Sequence, residues 1–430
     1  MFDLVAIIGL LIGLIVLGMP VAIVLGVVSI VGLLLMFGAS VPVDLVAQRM
    51  FYGVNSFLLV AVPFFMLAGE IMNRSGATVR LYRFADALVG HLPGGLAHVN
   101  ILGSLVFAGM SGSAAADAAG LGKIEHEAMV KKGFPSSFAI GVTAASATVG
   151  PIVPPSIPMI VYAVMSGASV GGLFIAGIVP GVLICIVLSI MCWFWGMGAN
   201  FPRNDKIVPR EVFLSLRGAI LPVLCPAIVL GGIFTGMFTP TEASVVAVLY
   251  TAFIGCVVYR EISPRDLVGM VRQTALEVAP LMLIVATAAL FGYVIIRLGI
   301  PPMLAKLVLS ATTDPLMILV LIALVLLVIG CFMETVSAII IFTPLFLPLA
   351  TQVGISDIQL GMVVVMTLVL GVITPPVGIV LFIMERITNT PLDQVVKAVL
   401  PFYVPIIIAI ALVIIFPQLS LWLPELLGYN

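Results

Sequence analysis

Apolar residues run through most of the chain in blocks of about twenty, divided by short clusters of glycine, proline, asparagine and charge. A helix needs about 20 apolar residues to cross a hydrocarbon core of roughly 30 Å. Breakers and charges then delimit ten crossings, at 2–18, 20–37, 53–73, 134–163, 174–198, 218–238, 241–258, 274–296, 357–386 and 399–419. Two further apolar regions, 95–130 and 315–352, are interrupted halfway, by Ser111-Gly112-Ser113 and by Met333-Glu334-Thr335. Each is expected to reach the midplane and return as a re-entrant hairpin. The run after Phe2 has no basic leader and continues past Pro20 to Phe37, so it is expected to be membrane helix and not a cleavable signal.

Composition closes off other classes. Of the 430 residues, 62% are hydrophobic and 9% charged, against roughly a quarter charged in a soluble domain. Such a chain cannot clothe a water-facing surface, which excludes a soluble enzyme, a nucleic-acid binder and a disordered scaffold. The net charge of -1 offers no basic patch. Cys185, Cys192, Cys225, Cys256 and Cys331 lie in apolar runs without metal or redox spacing, and His91, His98 and His126 share no ligand spacing. Basic residues orient the crossings: with the N-terminus outside, fifteen of the eighteen fall inside, and only Arg49, Arg297 and Lys306 outside. Both termini are then expected outside.

An offset of 221 residues superposes the breakers of the two halves: Gly109 on Gly330, Gly150 on Gly371, Pro154-Pro155 on Pro375-Pro376 and Pro180 on Pro401. Each half holds five crossings and one hairpin, an odd number of crossings, so the copies are expected to be inverted. That is a common plan of secondary transporters. The expected division is a first half at 1–199 (scaffold helices 1–90, hairpin and broken helix 91–166), a polar cytoplasmic linker at 200–217, and a second half at 218–430. In the latter, 218–296 would be scaffold and 315–386 the second hairpin and broken helix.

The breaks carry the candidate chemistry. In Thr148-Val149-Gly150-Pro151-Ile152-Val153-Pro154-Pro155-Ser156 and in Gly371-Val372-Ile373-Thr374-Pro375-Pro376, proline removes amide donors and frees carbonyls. Bare backbone persists in a membrane only when buried or lining a polar cavity. Ser111, Gly112 and Ser113 with Thr148 and Gly150 could cage one alkali cation; Met333, Glu334 and Thr335 with Gly371 and Thr374 could cage another. Half-helix N-termini suit a carboxylate. Glu334 is read as a site residue or a cap of the returning helix. Arg297 either snorkels or reaches a carboxylate with its fork. Asp117 is read as an N-terminal helix charge, and Glu70 as a residue within reach of water. Thr239-Pro240-Thr241-Glu242 has the form of a capping box.

These residues resemble the large membrane subunit of the tripartite ATP-independent periplasmic (TRAP) transporters over nearly the full length. The matching pieces are Gly18-Met19-Pro20-Val21-Ala22, Phe107 to Ser113, Ile152 to Pro158, Thr235 to Ala243 and Thr374-Pro375-Pro376. The resemblance implies an all-helical inverted-repeat fold and a sodium-driven elevator symporter in a bacterial inner membrane. It also implies two partners, a small four-helix membrane subunit and a soluble periplasmic substrate-binding protein. Its substrates would be carboxylates such as C4-dicarboxylates or sialic acids. No cofactor is expected beyond Na+ as coupling ion. By resemblance, substrate would contact Ser111, Ser113, Ser156, Arg297, Glu334 and Thr335. Sodium would contact Gly109, Ser111, Gly112, Ser113, Thr148, Gly150, Pro154, Met333, Glu334, Gly371 and Thr374. An ion channel or a proton-coupled anion transporter could also use re-entrant loops. An intramembrane enzyme has no Ser/His pair or HExxH-like motif to support it, and no GxxxxGK[ST] loop marks a directly ATP-driven pump.

Overall fold

The computed structural model describes residues 2–38, 40–199, 201–204 and 206–429; Asn200 and Asp205 of the expected linker lie outside the described residues. Every regular element among these is helical. Seven helices are long and apolar enough to cross a membrane: Phe57–Arg74, Val170–Gly198, Pro209–Phe234, Pro240–Val258, Pro264–Arg297, Thr335–Gln352 and Leu392–Ile415. The first two expected crossings are shorter apolar helices, Phe2–Val16 and Val21–Phe37, of 15 and 17 residues.

Both interrupted regions fold as hairpins. Helix Leu96–Ser111 turns at Gly112, whose φ of 58° suits a residue without Cβ, and returns as Ala114–Lys131. Helix Pro315–Gly330 turns through Cys331 to Glu334 and returns as Thr335–Gln352. Both expected breaks are also present. Ser136–Ser146, with a tight turn over Ala147–Val149, is separated from Ile157–Ser166. Asp357–Gly371 is separated from Ile379–Thr388. The Pro154-Pro155 and Pro375-Pro376 bonds are both cis.

Where charges dilute the apolar run, span counting missed helices. Val43–Val54, Ala77–Val89, Ile300–Leu309 and Gln418–Leu426 are all helical. Ala77–Val89 spaces Arg80, Arg83 and Asp86 on one side and buries Ala77, Leu81 and Ala85 on the other, the pattern of an amphipathic surface helix. The linker expected at 200–217 is also shorter than expected, because Pro209 starts a helix that continues to Phe234. Proline at the first helical position loses no hydrogen bond. The capping box at Thr239 is as expected: its backbone N–H and hydroxyl both donate to Glu242 Oε2 at 2.8 Å. A second one, Ser263 with Asp266, starts Pro264–Arg297 ten residues before the expected 274.

The centre is built by the hairpins and breaks. Every residue from Phe138 to Ile152 and from Ile358 to Ile373 is buried, so these helices are apolar all round because no face meets solvent. Their packing is reciprocal. The returning arm of the first hairpin packs on Ile379–Thr388, the helix after the second break. The returning arm of the second hairpin packs on Ile157–Ser166, the helix after the first. Within each half, tip and break nest closely. A Cβ on Gly150 would lie 3.1 Å from the Ser113 carbonyl oxygen, and one on Gly371 would lie 2.5 Å from the Gly330 carbonyl.

Candidate functional site

Each hairpin tip ends one helix and begins another, and each break does the same. Four helices therefore start at the tips and breaks: Ala114–Lys131, Ile157–Ser166, Thr335–Gln352 and Ile379–Thr388. Their first turns meet around one chamber of about 130 Å³. Ala114 and Ala115, Ile157 and Pro158, Thr335 and Val336, and Ile379 and Val380 are the first residues of these four helices, and all line it. Gly112 and Ser113 of the first tip, Glu334 of the second, and Pro151 and Val372 of the breaks complete that wall. Met66 and Leu281, from helices outside the hairpins, close the far side.

This convergence sets the electrostatics. Each N-terminus presents unpaired amides and about half a positive charge. Three of the four are capped from their own side chains. Ser113 Oγ accepts from the Ala116 amide at 3.4 Å, and Ser156 Oγ accepts from the Met159 amide at 3.2 Å while donating to the Pro151 carbonyl. Glu334 Oε2 accepts from the Ser337 amide at 3.1 Å. Glu334 is thus both the cap of the returning helix and, among the described residues, the one charged side chain lining the chamber. The Ser111 and Thr335 hydroxyls, one at each tip, are buried without a partner among the described residues. A buried unpaired hydroxyl costs about 1–3 kcal/mol, a cost that a bound ion or ligand would offset.

The expected site residues divide into three sets. Gly112, Ser113, Glu334 and Thr335 line the chamber, with Ser111 and Ser156 directly behind it. Thr148, Gly150, Pro154, Met333, Gly371 and Thr374 lie at the tips and breaks but not on the chamber wall. There the Thr148 hydroxyl donates to the Ala145 carbonyl at 2.6 Å and the Thr374 hydroxyl to that of Leu370 at 2.8 Å. Gly109 faces Pro226, 2.8 Å from where its Cβ would stand. Arg297 stands apart. It is exposed at the C-terminus of Pro264–Arg297, its guanidinium 5.6 Å from the centre of the Tyr293 ring, with Arg49 at 4.3 Å from the same ring. Glu70 pairs with Arg74 at 2.5 Å. Asp117 lies in the first turn of Ala114–Lys131, as expected of an N-terminal helix charge, and both its oxygens are buried without a partner among the described residues. Met66 and Leu281 were not legible as site residues, because an apolar residue in an apolar helix carries no mark of what it faces.

The family model described as "Tripartite ATP-independent periplasmic transporter, DctM component" matches residues 8–419. The chain belongs to this family. It is 42% identical over 419 residues to the sialic acid TRAP transporter large permease protein SiaM of Vibrio cholerae, covering 97% of this chain and 98% of that one. It is 38% identical to the C4-dicarboxylate TRAP transporter large permease protein DctM of Pseudomonas aeruginosa, over 89% of this chain and 90% of that one. It is 35% identical to the 2,3-diketo-L-gulonate TRAP transporter large permease protein YiaN of Escherichia coli, over 95% of each. Among solved structures, the YdaH transporter of Alcanivorax borkumensis shares the fold at a TM-score of 0.65 and 15% identity, over 94% of this chain and 97% of that one. As a TRAP large permease, the chain is a multi-pass membrane transport protein and not an enzyme.

Proposed function

We propose that this TRAP large permease imports an organic acid across the bacterial inner membrane, driven by sodium. The observation that carries this reading is the convergence of four helix N-termini on one chamber whose single charged lining residue is acidic. The amides suit a substrate carboxylate, while Glu334, the unpaired Ser111 and Thr335 hydroxyls and the backbone of the two breaks supply oxygens for cations. The named substrates of the relatives, sialic acid, C4-dicarboxylates and 2,3-diketo-L-gulonate, are all carboxylates at neutral pH. Arg297 has no part in this site.

At about 130 Å³ the chamber is smaller than the 300–1,000 Å³ usual for ligand pockets. Substrate entry therefore requires a tip to move. The two halves act as inverted copies in an elevator: hairpins and broken helices carry the site past a scaffold that includes Met66 and Leu281. Both termini face the periplasm. The partners are a small membrane subunit and a periplasmic binding protein. Two relatives support the first: the chain spans only 62% of the SiaT permease of Haemophilus influenzae and of the isethionate permease DctMQ, which leaves length for a further membrane part.

Uptake of labelled sialic acid and C4-dicarboxylates into proteoliposomes holding the chain, its small subunit and the binding protein tests the proposal. Saturable uptake that stops when the sodium gradient is collapsed is expected. Uptake indifferent to sodium, or single-channel currents, would refute it.

A further inference from the structure

The returning arm of the first hairpin holds two acids that the transport site does not use. Asp117 and Glu125 are each 1% exposed, and none of their four carboxylate oxygens has a partner among the described residues. They converge on one level of the other arm. Ser104, itself 1% exposed, lies beside Asp117. A Cβ on the neighbouring Gly103 would lie 3.0 Å from Glu125 Oε1. The buried Tyr82 hydroxyl of helix Ala77–Val89, also unpartnered, lies near Glu125, and Cys185 of Val170–Ala199 lies near Asp117. No cationic side chain among the described residues pairs with them. Asp86 is tied to Lys132 and Asn204, and Glu70 to Arg74. Helix Ala61–Arg74 presents Asn73 to Gly120, and Ile379–Thr388 presents Met384 and Ile387 to Gly122, with Glu385 and the exposed Arg386 between these two. Ser136–Ser146 brings the uncharged Thr143. On the arm itself, Lys123 is exposed, His126 meets Ser136 and Glu127 pairs with Lys131.

We propose that Asp117 and Glu125 form a proton-binding pair on the moving hairpin. A buried carboxylate without a counter-charge is not sustained at such sites; it is neutralised or paired. Each therefore takes up one proton from water, forming an O–H bond, and returns it to water when exposed. Tyr82 belongs to helix Ala77–Val89, which is expected to stay with the scaffold, so movement of the hairpin past it would uncover Glu125. That consequence rests on the transport reading; the protonation itself does not.

Infrared spectra of the purified chain at neutral pH test the pair directly. The wild type should show a protonated-carboxyl stretch that loses intensity in Asp117→Asn and again in Glu125→Gln. Unfolding temperatures give a second readout. The native state would hold protons that the unfolded chain releases, so wild-type stability should fall as the pH rises above the usual carboxylate range, by a few degrees more than in the double variant. An unchanged carboxyl band in both single variants would overturn the proposal, as would parallel pH profiles. Both amides mimic the neutral acid, so failure of both variants to fold would overturn it too. None of these readouts needs substrate or sodium, so a chain that fails in uptake but loses the band refutes transport and leaves the pair standing.

Discussion

The two hairpin-and-break pairs are made from similar parts but sealed differently. In the first, Pro151, Ile152, Pro154, Pro155 and Ser156 are buried, and the tip presses against the break on both flanks: Ser113 on Gly150, and Gly112 on Pro155. In the second, Pro375, Pro376 and Val377 are exposed. There the tip holds the backbone by a Val377 amide to Cys331 carbonyl bond of 3.0 Å and by the Gly330–Gly371 contact, and the Tyr403 hydroxyl donates to the Ile373 carbonyl at 2.6 Å from outside the pair. The second tip carries the one charged lining residue, while the first tip carries only serines and glycine. Sealing costs mobility, because a close-packed region moves only as a block. On the transport reading proposed above, the first pair has the build of a rigid wall that moves as one block, and the second that of the part free to open.

Close backbone approach gives the sharpest way to break this comparison. Gly371→Ala would set a Cβ 2.5 Å from the Gly330 carbonyl, and Gly112→Ala would set one against the Pro155 carbonyl while also requiring a φ of 58°. Neither neighbour is a side chain that can swing aside. Each change should destabilise by more than about 2 kcal/mol and abolish uptake, read as loss of monodisperse protein and a lowered unfolding temperature. Gly292→Ala, with nothing within 4 Å of its Cβ, is the control and should be silent. If Gly371→Ala were as silent as the control, the second pair would not be held by its backbone.

Much of this contrast was legible in the sequence, and the reason is local. Serine-glycine interruptions, double prolines and Thr239-Pro240-Thr241-Glu242 alter backbone geometry where they stand, so hairpins, breaks and the capping box could be placed from residue types alone. Three things could not. The reciprocal packing of each returning arm on the other half's broken helix is a contact between segments roughly 180 and 260 residues apart. The amphipathic helix Ala77–Val89 was hidden because its charges resemble a loop when only apolar length is counted. The position of Asp117 marks it as a first-turn charge, but nothing in the chain shows that its helix, packed on Leu96–Ser111, buries it.

Glu334 separates the halves chemically and sets the next largest effect. Glu334→Gln keeps an oxygen that can cap the Ser337 amide but removes the charge. It should leave the unfolding temperature within a few degrees of wild type while raising the sodium concentration for half-maximal uptake at least tenfold. Ser113→Ala, on the first tip, removes a cap worth about 1 kcal/mol and no charge, and should shift sodium dependence less than threefold. Equal shifts from the two variants would mean that the tips contribute alike, against the division into wall and gate.

The smallest effect belongs to Arg297, and its smallness is informative. A guanidinium is the usual partner of a carboxylate, and this one lies at the end of a helix that also supplies Leu281 to the chamber wall. Sixteen residues of helix separate the two positions, about 24 Å along the axis. Arg297 instead shares the Tyr293 ring with Arg49 at the surface, where a cation–π contact is worth about 0.5–1 kcal/mol. Arg297→Ala should therefore change uptake less than twofold at every substrate concentration and lower stability only slightly. A large rise in the substrate concentration for half-maximal uptake would show that the fork does reach the acid in another state, so that four helix N-termini alone are not enough to hold it.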